Sequence, residues 1–264
     1  MPELAEVDFF RRQWDCGLGK KIVAVQLHAQ KRIFRGSDPR AMARRLTGQR
    51  FLRSHARGKQ MFLEFSGGNW IGLHLGMSGK MRIEPAGFRA EKHDHLILQQ
   101  ARRALVFRDA RLFGRVLFHH GKTEPAWWQT DAPEIGSEQF DRKFLDAFLD
   151  RHARAPVKAV VLLQAGFSGI GNGMADEILW RARILPSVAA GRLSSAQRAR
   201  LFRETRFVAR ESLRIISPNF ADPPRNWLIH QKWKHAGVCP IHRSPLRKEM
   251  LGGRTTAWCA KCQK

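Results

Sequence analysis

Three of the chain's four cysteines fall between residues 239 and 262, as Cys239, Pro240, Ile241, His242, then sixteen residues, then Cys259, Ala260, Lys261, Cys262. Two short ligand pairs separated by a hairpin-length insert suit tetrahedral zinc, because each tight turn carries two ligands onto one side of the metal. The spacing predicts one structural Zn2+ held by Cys239, His242, Cys259 and Cys262. Between the pairs, Leu251, Gly252, Gly253, Arg254, Thr255 and Thr256 read as a tight turn entering a strand. A finger this small needs its metal to fold, and Arg254 is expected to project from it.

At 264 residues the chain can bury a core and is expected to carry two domains besides the finger. Lysine and arginine outnumber the acids 47 to 23, for a formal charge of +24, and the excess runs along the whole chain. A globular protein this basic is most simply a nucleic-acid binder, since each cation placed on a phosphate releases condensed counterions. Anionic membranes are the alternative partner. No apolar run approaches a membrane span, and residues 1–8 lack a signal peptide's basic and apolar regions. Cys16 stands alone once zinc takes the other three, which suits a reducing cytoplasm.

Residues 2–14 read as a helix, with Pro2 at the first helical position and Leu4, Val7, Phe10 and Trp14 at three- and four-residue spacing. Strands are expected at 22–27, 60–65, 70–75, 96–99, 104–107 and 114–118, with a short helix at 38–46 capped by Asp38. Repeated strands of this kind indicate a sandwich or barrel. Met77 and Phe113 are large apolar residues set among glycines in two of the turns, and apolar wedges flanked by arginine are used to pry bases apart. Residues 119–136 carry Pro125 and Pro133 without periodicity and read as a linker. Beyond it, helices are expected at 137–152, 157–164, 174–183 and 195–215, followed by a proline-broken loop at 217–225. The glycine-rich turn 166–173 leads into the third of these helices, and its amides make an anion site to which Asn172 adds a neutral donor.

Taken in order, these pieces resemble the bacterial formamidopyrimidine-DNA glycosylase and endonuclease VIII family. The resemblance rests on the start Pro2, Glu3, Leu4, Ala5, Glu6, Val7; on Arg57, Gly58, Lys59; on the turn 74–79; on 109–114; on the glycine turn through Asn172; and on the finger with Arg254. It implies an α+β multi-domain chain: an N-terminal β-sandwich with flanking helices (1–120), a linker (121–136), a helix-two-turn-helix domain (137–228) and a β-hairpin zinc finger (229–264). It implies a monomeric enzyme of the bacterial nucleoid that flips a damaged nucleotide out of double-stranded DNA, cuts its glycosidic bond and nicks the strand. In the family, removal of the initiator methionine exposes a proline whose secondary amine attacks the sugar C1′; here that is Pro2. Glu3 is implied as general acid on the opening sugar. Lys59, His74, Asn172 and Arg254 are implied to clamp phosphates, while Met77, Arg111 and Phe113 fill the space the nucleotide leaves.

The departures bear on specificity. Ala5 replaces a usual proline, His242 a zinc cysteine, and Leu112 an arginine that many relatives carry beside the wedge. The loop 217–225 holds Pro218, Pro223 and Pro224 where the family's base-capping loop has glycines. The set Met77, Arg111 and Phe113 is nearer the purine-repair branch, so oxidised purines are the expected substrate. Oxidised pyrimidines, and a non-catalytic zinc DNA-binding protein, are the alternatives.

Overall fold

The computed structural model describes residues 2–28, 31–129 and 132–264. The fate of Met1, and the linker positions 130 and 131, lie outside the described residues. Two compact units emerge, one comprising residues 6–130 with the first two residues of the chain, the other Glu3–Ala5 with Asp131–Lys264.

In the first unit, α1 (Leu4–Gln13) places Val7 and Phe10, with Trp14 just beyond it, in the core. It begins at Leu4, not at Pro2, and the Glu3 side chain before it is held by other backbone amides, as described below. The strands are β1 (Ala24–Leu27), β2 (Phe51–Arg57), β3 (Gln60–Phe65), β4 (Asn69–His74), β5 (Lys80–Pro85), β6 (Asp94–Gln99), β7 (Arg103–Arg108) and β8 (Arg115–His120), with α2 (Pro39–Leu46) between β1 and β2. They form two antiparallel four-stranded sheets, ordered β1-β6-β7-β5 and β2-β3-β4-β8. One core takes Met61, Leu63, Ile71, Leu73 and Val116 from one sheet and Met81, Leu96, Leu98, Leu105 and Phe107 from the other, the alternation a sandwich requires. Phe62 and Trp70 point the opposite way and are covered by Trp128, so the tryptophans of the expected linker pack on the outer sheet face. Asp38 caps α2 by accepting from the Arg40 and Ala41 amides, with Pro39 at the first helical position; such a cap contributes about 1 kcal/mol.

Two strands were not expected. β2 shows little apolar alternation, and it forms because β3 offers it a hydrogen-bond ladder; β5 does alternate, with Met81 and Ile83 between Lys80, Arg82 and Glu84, but only two apolar residues carry the pattern.

The second unit holds α3 (Arg142–Arg151), α4 (Val157–Val161), α5 (Asn172–Ala182), α6 (Ser195–Asn219) and α7 (Ile229–Lys232), followed by the hairpin β9 (Arg247–Leu251) and β10 (Arg254–Trp258). α3 starts later than its apolar pattern suggested because Asp141 accepts from the Phe144 amide and sets the cap there. α6 runs through Pro218 and stops at Phe220, which takes φ 58° and donates its N–H to Ile216. The proline lies in the last turn, so the irregular loop begins at 220, not at 217. Phe140, Leu145, Phe148, Phe167, Ile178, Leu201 and Val208 centre the core of this unit. The fold is α+β, with a β-sandwich, a helical domain and a C-terminal hairpin carrying a cysteine cluster.

Candidate active site

The first helical turn of α5 exposes amides with no helical partner and the positive end of the helix dipole. Glu3 occupies it. Its Oε1 accepts from the Gly173 N–H at 2.8 Å, and its Oε2 from the Met174 N–H at 3.0 Å and the Gly171 N–H at 3.2 Å. The Leu4 N–H, free of any helical partner at the start of α1, donates to the Gly169 carbonyl at 3.0 Å. The anion site expected at the glycine turn is therefore filled by the protein's own carboxylate. Gly171 permits the close approach, since a Cβ there would stand 2.4 Å from the Glu3 carboxyl carbon. Pro2 precedes this anchor, half-buried and outside any regular element.

Asn172 opens α5. Its Nδ2 donates to the Thr255 carbonyl on β10 at 2.9 Å, and a primary amide has a second N–H left to give. Gly252 and Gly253 both take positive φ, 56° and 69°, as a two-residue hairpin turn requires, and Arg254 follows them, exposed.

The finger ends in a closed ligand set. One donor atom from each of Cys239, His242, Cys259 and Cys262 lies within 4.8 Å of every other. Cys239 Sγ is 3.6 Å from Cys262 Sγ and 3.8 Å from His242 Nδ1. Tetrahedral zinc with bonds of about 2.3 Å to sulfur separates its ligands by roughly 3.8 Å, so the quartet fits one ion. Four protein ligands leave no open position, which makes the site structural. The cysteines pack on Trp180 and Leu228, and the Gln263 side chain donates to the Ile184 carbonyl, so the finger is docked on the helices of its own unit.

In the β-sandwich unit, Gly58 supplies φ 57° for the two-residue turn between β2 and β3, and nearly buried Lys59 follows it. His74 ends β4 opposite Gln60. Its Nδ1 accepts from the Gly76 N–H at 3.0 Å, which puts the ring proton on Nε2. Burial first, then the charges of Lys59 and Arg35, hold its pKa below the ordinary 6.5. His74 is thus a neutral donor flanked by cations.

The residues expected to form the wedge lie on two loops packed backbone against backbone. Gly76 has φ 63°, and a Cβ on it would stand 2.4 Å from the Phe113 carbonyl carbon. Buried Asp109 accepts from Ser78 Oγ at 2.6 Å and from the Arg111 and Gly114 amides at 3.2 and 2.7 Å. Met77 and Phe113 stay 43% and 42% exposed, which is costly for two large apolar side chains without a partner surface, and the Arg111 guanidinium lies 4.9 Å from the Phe113 ring centre. Leu112 between them takes φ 56°, a left-handed backbone fixed by this loop.

The family model of the formamidopyrimidine-DNA glycosylase N-terminal domain matches residues 1–116, and that of the formamidopyrimidine-DNA glycosylase H2TH domain matches residues 132–219. The chain is 34% identical over 276 residues to the formamidopyrimidine-DNA glycosylase of Bordetella petrii and 33% identical over 281 residues to that of Nitrosococcus oceani, with 100% of both chains covered in each case. The chain belongs to the formamidopyrimidine-DNA glycosylase family. Among solved structures, Lactococcus lactis Fpg in complex with DNA containing an oxidised pyrimidine aligns with a TM-score of 0.90 at 25% identity over 100% of both chains. The same protein in complex with DNA containing an abasic site aligns with a TM-score of 0.88 at 26% identity over 99% of each.

Within this glycosylase family frame, the expected site residues fall into two groups. Lys59, His74, Met77, Arg111 and Phe113 belong with the sandwich unit, and Glu3, Asn172, Arg254 and the zinc ligands with the helical unit. Sequence reasoning missed Asp109 as the organiser of the wedge loop, and it missed Asp176, Lys158 and Lys232, which are buried beside Asn172. A lysine inside the apolar run Val157–Val161 was the one available signal.

Proposed function

We propose that this protein is a bifunctional DNA glycosylase and AP lyase that excises oxidised purines, such as formamidopyrimidines or 8-oxoguanine, from double-stranded DNA. The observation that carries the reading is the seating of Glu3 on the α5 amides directly after Pro2, in a chain of this family. A secondary amine at the processed N-terminus has a reference pKa of roughly 7.7 to 8.0, so part of it is neutral near pH 7 and nucleophilic. Its nitrogen bonds to C1′ as the glycosidic bond breaks, and the base leaves with the electron pair and takes up a proton. Glu3 takes up the proton that the Pro2 nitrogen loses on bonding to C1′ and gives it to the sugar oxygen as the ring opens and the iminium forms. The iminium acidifies C2′–H, whose loss expels the 3′ phosphate; the conjugated iminium then acidifies C4′–H, whose loss expels the 5′ phosphate, and water releases Pro2.

Lys59, His74, Asn172 and Arg254 hold phosphates of the damaged strand. Four such contacts give a log–log salt slope of roughly −3 to −4. Met77, Arg111 and Phe113 occupy the stack after extrusion, which accounts for their exposure in the free protein. Zinc holds the finger in shape through Cys239, His242, Cys259 and Cys262. The protein acts as a monomer in the cytoplasm, at the bacterial nucleoid; the exposed free thiol of Cys16 is in keeping with a reducing compartment.

The test is borohydride trapping on abasic-site DNA. A covalent adduct is expected, and a tag retained ahead of Pro2 is expected to abolish it. Trapping that survives a blocked terminus would place the nucleophile elsewhere.

A further inference from the structure

Two lysines are fully buried in the helical unit, and the chemistry above uses neither. The side chains of Lys158 on α4 and Lys232 on α7 are 0% exposed, and they share one carboxylate, that of Asp176 on α5, itself 1% exposed. Lys232 Nζ lies 2.5 Å from Asp176 Oδ2 and donates to the Asn172 carbonyl at 2.8 Å. Lys158 Nζ pairs with Asp176 Oδ1 and donates to the same carbonyl at 3.1 Å. Burial pushes the Lys158 ammonium down to about 8; Asp176 opposes that shift, and the charge of Lys232 adds to it.

An ammonium removed from water is costly unless paired, and one lysine already neutralises Asp176. What Lys232 adds is a connection. Asp176 Oδ2, the oxygen it holds, also accepts the Ala257 N–H of β10 at 3.0 Å. The Asn172 side chain donates to the Thr255 carbonyl at 2.9 Å. Thr255 and Ala257 are two residues apart, so both bonds fall on one edge of the strand, and Arg254 immediately precedes them. Arg254 itself forms no ion pair among the described residues, so its position is set by the strand it begins.

We propose that Lys232 and Asp176 are positioning residues that lock the start of α5, with Asn172, to the finger strand, with Arg254, so that both grip the DNA backbone in one register. This rests on Asn172 and Arg254 being phosphate contacts, and the experiment separates the two ideas.

Binding of a duplex containing an abasic-site analogue is measured across a range of salt for the zinc-loaded full chain, Lys232→Met, Arg254→Ala and the double variant. Lys232→Met leaves Lys158 and Asp176 as a one-to-one pair, so a folded protein with unchanged zinc content is expected. It should weaken binding about tenfold and make the log–log salt slope shallower by about one. In the Arg254→Ala background the same change should cost less than about threefold, the non-additivity of residues acting as one unit. Lys232→Gln, which can still donate to the Asn172 carbonyl, should recover part of the loss, and it replaces Lys232→Met in the cycle if the methionine variant does not fold. Equal losses in both backgrounds, or weaker binding with an unchanged slope, overturn the proposal. An Arg254→Ala protein with a wild-type slope removes the phosphate contact itself, and the proposal falls with it.

Discussion

Gly171→Ala isolates what the seat of Glu3 contributes. Gly171 has φ −114° and ψ −166°, an extended backbone that alanine accepts without strain, so the added methyl is the whole perturbation. It would stand 2.4 Å from the Glu3 carboxyl carbon and from Oε1. Non-bonded carbons separate to about 3.5 Å or more, so the carboxyl group must retreat by roughly 1 Å. That displacement breaks or lengthens the bonds from the Gly171, Gly173 and Met174 amides, now 3.2, 2.8 and 3.0 Å long. A misplacement of about 1 Å in a reacting group costs on the order of 100-fold in rate, or about 2.7 kcal/mol of barrier. Single-turnover excision from a duplex bearing one formamidopyrimidine or 8-oxoguanine should therefore slow about 100-fold, while affinity for an abasic-analogue duplex changes by less than about threefold. Excision at the wild-type rate would show that the amide seat is irrelevant to the chemistry. Binding that falls as far as excision would show that the methyl damages the DNA surface instead.

His74 makes a pH prediction of definite sign. Its folded pKa lies below 6.5, so the neutral ring contributes stability that is present above pH 6.5 and lost as pH falls through the folded value, where the ring must take a proton facing Lys59 and Arg35. Thermal midpoints of His74→Gln should fall less steeply on the acid side than those of the wild type, and identical acid limbs would refute the assignment. Zinc removal with a chelator should disorder the finger, free the β10 edge from Asn172 and Asp176, and abolish DNA binding with release of one zinc per chain. DNA binding retained by the metal-free protein would break the link between the ligand quartet and the proposed phosphate clamp.

Much of this was legible in the residues because the signals are local. The ligand pairs at 239–242 and 259–262, the Asp38 cap with Pro39, and the apolar alternation of β3 each depend on neighbours within a few positions. The exposure of Met77 and Phe113 followed from large apolar residues set among glycines. β2 was silent because its sequence is polar and its existence depends on β3, and α6 outran the expected stop because a proline in a final helical turn leaves the rest of the helix intact.

The sequence by itself determined the four zinc ligands, the acid and cations of the proposed site, and the turns able to carry them. Only the tertiary structure decided what meets what. Glu3 finds its amides about 170 positions away, Lys232 and Lys158 reach one carboxylate from separate helices, and β10 docks by its edge on α5. The physical reason is that periodicity and turn chemistry act over one or two turns of chain, whereas a buried charge is tolerable only where distant elements bring it a partner, and no local pattern records that meeting.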